Sequence, residues 1–499
     1  MKKLFNKKYL HYYLIGIIFI TAIFLRLYNI NEIDVWRDEA FTAILVQKSL
    51  KELIPILIND TSSFLHQFSL HFWVQLFGAS ELSIRIPSVT CSLFSIYYLY
   101  LIIRPNFKKY QQLLILSLFS VNIISIIYAQ EARVYSMFTF LLIGTIFHLK
   151  NLLNKFTIKS AILWVIFNTC AFYSHNLSVF FIFTECFYIL ITYFFNSDTK
   201  NLIKIYKKNK KSLHQWLKLF IIFFITSIPW IVIMISQLSK FETGFWLTFD
   251  PIDTPQETLT GLATGIRLIS QRQFGLLDSF LNTFTILLTL LGTLYELVNF
   301  KKLKIHFSIF FWIPYILMYL ASFHSPVLYA RYISFLAPYM IVLSFYGIVF
   351  LFKNKYIQIP IVSILIALNL RIYFVDFINL INYRAGYTNL VNYIDSNLSE
   401  TDNILHKNAL TFFPVKYYAH NKFESTIYDP NYETQFYLGR SMILEDDYTR
   451  DTSEMIKHER IWTIELNSNI NIDEIESNFT LLEEKCFNGG LYLQLWEKN

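Results

Sequence analysis

The stretch Trp36-Arg37-Asp38-Glu39-Ala40 sets two carboxylates side by side, just after a long apolar run and at the start of a segment with helical periodicity. Read as local structure, Asp38 caps that helix, because an acid at a helix start accepts backbone N–H bonds and complements the dipole. Read as chemistry, a carboxylate held at a membrane surface takes a proton from an acceptor hydroxyl, which is the work of a general base. A second constellation, Tyr128-Ala129-Gln130-Glu131-Ala132-Arg133-Val134-Tyr135, puts an acid and a guanidinium into a short turn between two apolar runs. Ionisable groups at that depth are costly unless paired or used. Glu131 and Arg133 either satisfy each other at the interface, or face the same cavity as Asp38, with Arg133 orienting a carboxylate or meeting a phosphate. The third feature is Ala330-Arg331-Tyr332, an arginine at the lip of a later run, which either snorkels to lipid headgroups or supplies another anion-binding fork.

The elements that must carry these residues follow from composition. Of 499 residues, 54% are apolar and only 16% charged, which leaves too little polar surface to cover a water-soluble body of this length. Crossing about 30 Å of hydrocarbon takes roughly 20 helical residues. Apolar runs of that order lie near 10–29, 84–103, 112–129, 134–149, 160–175, 177–195, 215–237, 279–298, 305–321, 332–351 and 357–376, about eleven spans in all. Residues 1–376 are therefore expected to form a membrane domain, with a long loop at 31–83 that carries surface-lying helices. One such helix is expected from Ala40 to Leu57 and another apolar-aromatic piece at Phe64 to Phe77. Residues 377–499 contain no run able to span. Helix patterns near 387–397 and 472–478 and strand patterns at 403–406, 461–466 and 491–496 make them a small α/β domain. The expected fold class is an α-helical polytopic membrane protein with a small C-terminal α/β extracytoplasmic domain.

The net charge of +7 raises the question of an anionic partner. The lysines answer it by their position, since they cluster in alternate connections: Arg104 to Lys109, Lys150 to Lys159, the lysine-rich loop within Lys200 to Lys218, Lys301 to Lys304, and Lys353 to Lys355. That is the positive-inside pattern, and it puts the N-terminus in the cytoplasm and the C-terminal domain outside a cell membrane. Anionic lipid at the cytoplasmic face then explains the basic balance, and nucleic acid is not an expected partner. The first apolar run is long and lacks a small-residue cleavage site, so it is read as a retained helix. Cys91, Cys170 and Cys186 fall inside apolar runs and Cys486 stands alone in the tail, so no disulfide framework is expected.

Taken together, these residues resemble the integral-membrane glycosyltransferases of the protein O-mannosyltransferase and aminoarabinose-transferase group, the GT-C fold, in their bacterial form. The resemblance is carried by the acidic pair of Trp36-Arg37-Asp38-Glu39-Ala40, by Phe77-Gly78-Ala79-Ser80-Glu81-Leu82-Ser83-Ile84-Arg85-Ile86-Pro87-Ser88, by Ala129-Gln130-Glu131-Ala132-Arg133-Val134-Tyr135, by Ser174-His175-Asn176 and by Ala330-Arg331-Tyr332, in that order. It departs at Asp60-Thr61-Ser62-Ser63-Phe64-Leu65-His66, where the family often has a histidine or prolines ahead of a tyrosine. The resemblance implies inverting transfer of a sugar from a polyprenyl-phosphate donor to a lipid, glycan or protein acceptor on the extracytoplasmic side. It implies Asp38 as the general base, Arg133 and Arg331 as partners of the departing lipid phosphate, and Glu131 as a group that positions Arg133 or the acceptor. Arg85 is read as structural. Some members resemble metal-binding enzymes, which makes Glu39 and His175 the first residues to consider as ligands of a divalent metal or as acceptor contacts. His66, His71 and His324 show no recognised ligand spacing with His175, so the metal is left open.

The alternative is a polytopic transporter or flippase of lipid-linked saccharides, in which the same charges gate a substrate. That reading calls for ionisable groups near the bilayer midplane or spans interrupted by paired Gly and Pro, and neither is prominent. A third reading, an anchor whose tail does the work, lacks any compact acid, base or nucleophile set in the tail.

Overall fold

Long apolar runs become helices because a chain that leaves water must satisfy its own backbone. In the computed structural model, which describes residues 7–60, 63–195, 202–241, 247–265, 275–377, 384, 386–420, 422–432, 434–455, 457–466 and 472–499, they do so throughout the first three quarters of the protein. The helices are α1 (Lys7–Leu27), α2 (Arg37–Leu45), α3 (Leu50–Asn59), α4 (Phe64–Phe77), α5 (Glu81–Ile103), α6 (Lys109–Ser120), α7 (Ile123–Ile127), α8 (Tyr135–Asn154), α9 (Ile158–Ser174), α10 (Ser178–Phe195), α11 (Leu202–Phe241), α12 (Asp253–Thr264), α13 (Leu276–Val298), α14 (Phe307–Ala321), α15 (Ala337–Leu351) and α16 (Lys355–Arg371). Then follow α17 (Tyr387–Asn397), β1 (Asn403–His406), α18 (Phe412–Ala419), β2 (Thr426–Tyr428), β3 (Tyr448–Thr449), α19 (Thr452–Met455), β4 (Arg460–Leu466), α20 (Asp473–Asn478), β5 (Phe479–Phe487) and β6 (Leu491–Lys498).

Among the described residues, seven helices are long and apolar enough to cross a membrane, and three shorter apolar ones lie at Ile158–Ser174, Ser178–Phe194 and Phe307–Ala321. The chain is a multi-pass membrane protein. The run 112–129 departs from expectation, because it is broken into α6 and α7. Asn122 makes the break: its side chain accepts the Ser125 backbone N–H at 3.2 Å and the Ser125 hydroxyl at 2.8 Å, starting a new helix. The Ser120 carbonyl left at the end of α6 is taken at 3.0 Å by the buried Arg26 guanidinium, which also donates to the Ser92 hydroxyl at 2.8 Å. The lysine-rich segment expected as a loop is instead helical, since α11 runs on through Lys218 without interruption.

Two compact units emerge, Met1–Tyr28 with Arg85–Asp376 and Asn29–Ile84 with Phe377–Asn499. In the first, α13 and α15 approach backbone to backbone. A Cβ on Gly292 would lie 1.9 Å from the Leu343 carbonyl oxygen, and one on Gly347 would lie 2.1 Å from that of Leu288. Small residues permit such contact, and the Thr289 and Ser344 hydroxyls, 2.9 Å apart, bond across it. The buried Glu296 carboxylate accepts the backbone N–H groups of Phe307 and Ser308 at 3.0 and 2.8 Å, closing the turn from α13 into α14.

In the second unit a six-stranded sheet has the order β3-β2-β1-β4-β6-β5. Strands β1 to β4 pair in parallel, whereas β6 runs antiparallel to both β4 and β5. Its central strands are covered on both faces. Leu390, Ile394, Val415, Trp462, Ile464 and Leu493 form one core, and Leu405, Ile461, Ile475, Phe479 and Trp496 the other. The expected helices near 387–397 and 472–478 and strands at 403–406, 461–466 and 491–496 are present, with β2, β3, β5, α18 and α19 added to them. The segment expected as one helix from Ala40 to Leu57 is two, because Ser49 and Glu52 form a capping box that starts α3 afresh.

Candidate active site

Asp38 and Glu39 belong to the second unit. The helix that carries them, α2, starts two residues earlier than a cap at Asp38 would require: Trp36 occupies the capping position without a side-chain bond. Asp38 is instead in the first turn, where its carboxylate pairs with Arg37 at 3.1 Å and remains 17% exposed. Its carbonyl accepts the Thr42 hydroxyl at 2.8 Å. Glu39, the next residue, is fully buried. Phe41 meets the Phe413 ring edge-on at 5.3 Å, which seats α2 on α18. At its far end the Val46 carbonyl is 2.8 Å from His71 Nδ1 of α4. Asp38 thus stands, partly open, on a helix that is packed along its length.

Glu131, Arg133, His175 and Arg331 belong to the first unit. They gather around aromatic rings. Tyr128 and Tyr135 lie 4.7 Å apart, Tyr135 is 6.5 Å from Tyr332, and Tyr332 is 5.7 Å from the His175 ring and 5.8 Å from Tyr329. The Arg331 guanidinium sits 5.3 Å from the centroid of Tyr329. Glu131 and Arg133 lie in the turn between Tyr128 and Tyr135, and the His175 ring also stacks on Phe138 at 5.1 Å. The Ser136 hydroxyl donates to the Tyr128 carbonyl at 2.8 Å, and Ser88 donates to that of Arg133 at 3.3 Å, fixing the turn between α7 and α8. The four residues singled out from sequence are therefore brought together with tyrosines that sequence reasoning passed over. Two of those tyrosines flank the Glu131 turn in the chain and two flank Arg331, so the signal was adjacency. Arg85 is fully buried.

Cationic groups set among tyrosine rings hold an anion by charge-assisted bonds while the rings exclude water. A carboxylate that stays partly open is placed to accept a proton. Among the described residues no group of three or more His, Cys, Asp or Glu side chains is arranged to hold a metal ion.

Known proteins bear on this arrangement at two levels. Residues 61–232, about a third of the chain, match the family described as dolichyl-phosphate-mannose-protein mannosyltransferase. The backbone matches the crystal structure of ArnT from Cupriavidus metallidurans in the apo state with a TM-score of 0.57 at 10% identity, covering 96% of this chain and 97% of that one. The chain has the GT-C fold. The same ArnT bound to undecaprenyl phosphate matches at 0.56 and 10% identity with the same coverage, and the apo oligosaccharyltransferase of Archaeoglobus fulgidus at 0.50 and 12% identity over 83% of this chain and 64% of that one. No curated protein matches the sequence. The GT-C resemblance expected from the motifs is thereby borne out, and the matches support a glycosyltransferase of lipid-phosphate-linked sugars in general. The family match includes Glu131, Arg133 and His175, whereas Asp38, Glu39 and Arg331 lie outside it.

Proposed function

We propose that this GT-C protein transfers a sugar, with inversion, from a polyprenyl-phosphate donor to an acceptor on the extracytoplasmic side of the plasma membrane, its N-terminus lying in the cytoplasm. Asp38 takes the proton of the acceptor hydroxyl as that oxygen attacks the anomeric carbon. The bond from that carbon to the phosphate oxygen breaks in the same step, and the lipid phosphate leaves with one more negative charge than it carried in the donor. Arg133 and Arg331 stabilise that added charge, and fixed cations serve this better than water because they need no reorganisation during the reaction. Glu131 orients Arg133 or the acceptor. The acceptor is a lipid, a glycan or a protein.

The observation that carries this reading is the linked set of rings Tyr135, Tyr332 and Tyr329, with Glu131 and Arg133 in the turn just before Tyr135 and Arg331 over Tyr329, in a protein of GT-C fold. Two findings support it: the family match names a lipid-phosphate sugar donor, and a solved structure of similar fold holds undecaprenyl phosphate. The lysine-rich alternate connections support the orientation. The test is mass spectrometry of envelope glycans and glycolipids from a strain lacking the protein. One sugar increment should be missing and should return with the wild-type chain, and an unchanged profile would refute the reading.

A further inference from the structure

The segment that leads into α2 is fastened at two successive residues by groups from the far end of the sequence. The Asp34 carboxylate accepts the backbone N–H of Thr388 at 2.9 Å and its hydroxyl at 2.8 Å, so it caps α17 from 354 positions away. At the next residue, the Val35 N–H donates to the Tyr418 hydroxyl at 2.7 Å. That hydroxyl in turn donates to the Glu81 carboxylate. Its single proton is committed to Glu81, so it meets Val35 only as an acceptor, and both bonds have a fixed direction. Burial, then the charges of Asp34 and Glu81, push the Tyr418 phenol well above its ordinary range and keep that proton in place. All of these groups belong to the unit that holds Asp38.

Asp38 follows Val35 by three residues, across the Trp36 capping position. A general base works only within hydrogen-bond reach of its proton, and a displacement of about 1 Å can cost on the order of 100-fold in rate. We propose that Tyr418 and Thr388 are positioning residues for Asp38, and that residues 377–499 serve the reaction by holding the approach to α2 in register. The proposal rests on the reading of Asp38 as the base.

The test uses the full chain reconstituted in vesicles, with membrane extract from a strain lacking the protein as the source of donor and acceptor. Sugar transfer is followed by mass spectrometry, and undecaprenyl phosphate serves as the binding probe. Tyr418→Phe, which keeps the ring and loses both bonds, should lower the maximal rate about tenfold. Half-saturation by extract and binding of undecaprenyl phosphate should not change, and the melting temperature should fall only slightly, because Val35 and Glu81 each lose one bond. Thr388→Ser, which retains both bonds to Asp34, should run at the wild-type rate, and Thr388→Val should be slow. A wild-type rate in Tyr418→Phe while Asp38→Asn is inactive overturns the proposal. So does a loss shared equally by rate, probe binding and melting temperature, because that describes a general structural role. Full activity in Asp38→Asn removes the base reading itself, and the positioning proposal falls with it.

Discussion

Arg331 stands over the Tyr329 ring, which packs on Tyr332, so its guanidinium is held in an aromatic setting. If it meets the lipid phosphate, its loss removes at least one charge-assisted bond, of about 1.5–3 kcal/mol. Arg331→Ala should therefore weaken binding of undecaprenyl phosphate by roughly tenfold or more, measured by equilibrium binding to the purified protein. Unaltered binding would assign Arg331 to headgroup anchoring. At this scale the sequence was informative where chemistry is local. The acidic pair, the Glu131 turn and Arg331 all stood out because charge is rare beside long apolar runs. Capping by Asp38 was a local reading too, and it gave way because α2 begins at Arg37. Tyr418 and Thr388 carry no such mark. Their partners lie hundreds of positions away, and a tyrosine or threonine in a mixed α/β stretch has no pattern that announces a distant backbone bond.

Helices were legible wherever apolar run length alone decides them, and their ends were legible where charge or turn residues intervene. The run at 112–129 shows the limit. Its hydropathy is nearly continuous, yet Asn122 with Ser125 three residues on starts a second helix, and Arg26 takes the carbonyl exposed by the break. The single helix expected across Ala40 to Leu57 failed for a similar reason, since the Ser49 and Glu52 capping box lies inside a pattern whose apolar spacing continues past it. Strand β5 was missed because it is an edge strand whose residues 480–484 are all exposed, without the alternation that marks a half-buried strand. The close packing of α13 on α15 gives an element-scale prediction. Gly347→Ala puts a methyl within 2.1 Å of the Leu288 carbonyl oxygen, which only movement of a backbone can relieve. Overpacking of this kind costs about 1–3 kcal/mol, so thermal melting of the purified protein should fall clearly below wild type. An unchanged melting temperature would mean that the two helices separate without cost.

At the scale of the whole molecule, the chain divides the expected site residues between two units. Asp38 and Glu39 go with the sheet domain, and Glu131, Arg133, His175 and Arg331 with the helical bundle. The division into a membrane part and a C-terminal part follows from hydropathy. The clustering of residues 29–84 with the C-terminal region does not, because it depends on contacts such as Phe41 with Phe413 and Val35 with Tyr418. The central claim is that Asp38 accepts the proton, and asparagine keeps the shape of that side chain while removing its charge. The direct measurement is mass spectrometry of envelope glycans from a strain lacking the protein and supplied with Asp38→Asn at wild-type abundance in the membrane. The account predicts that the missing sugar increment stays missing, and its return at the wild-type level would contradict the account.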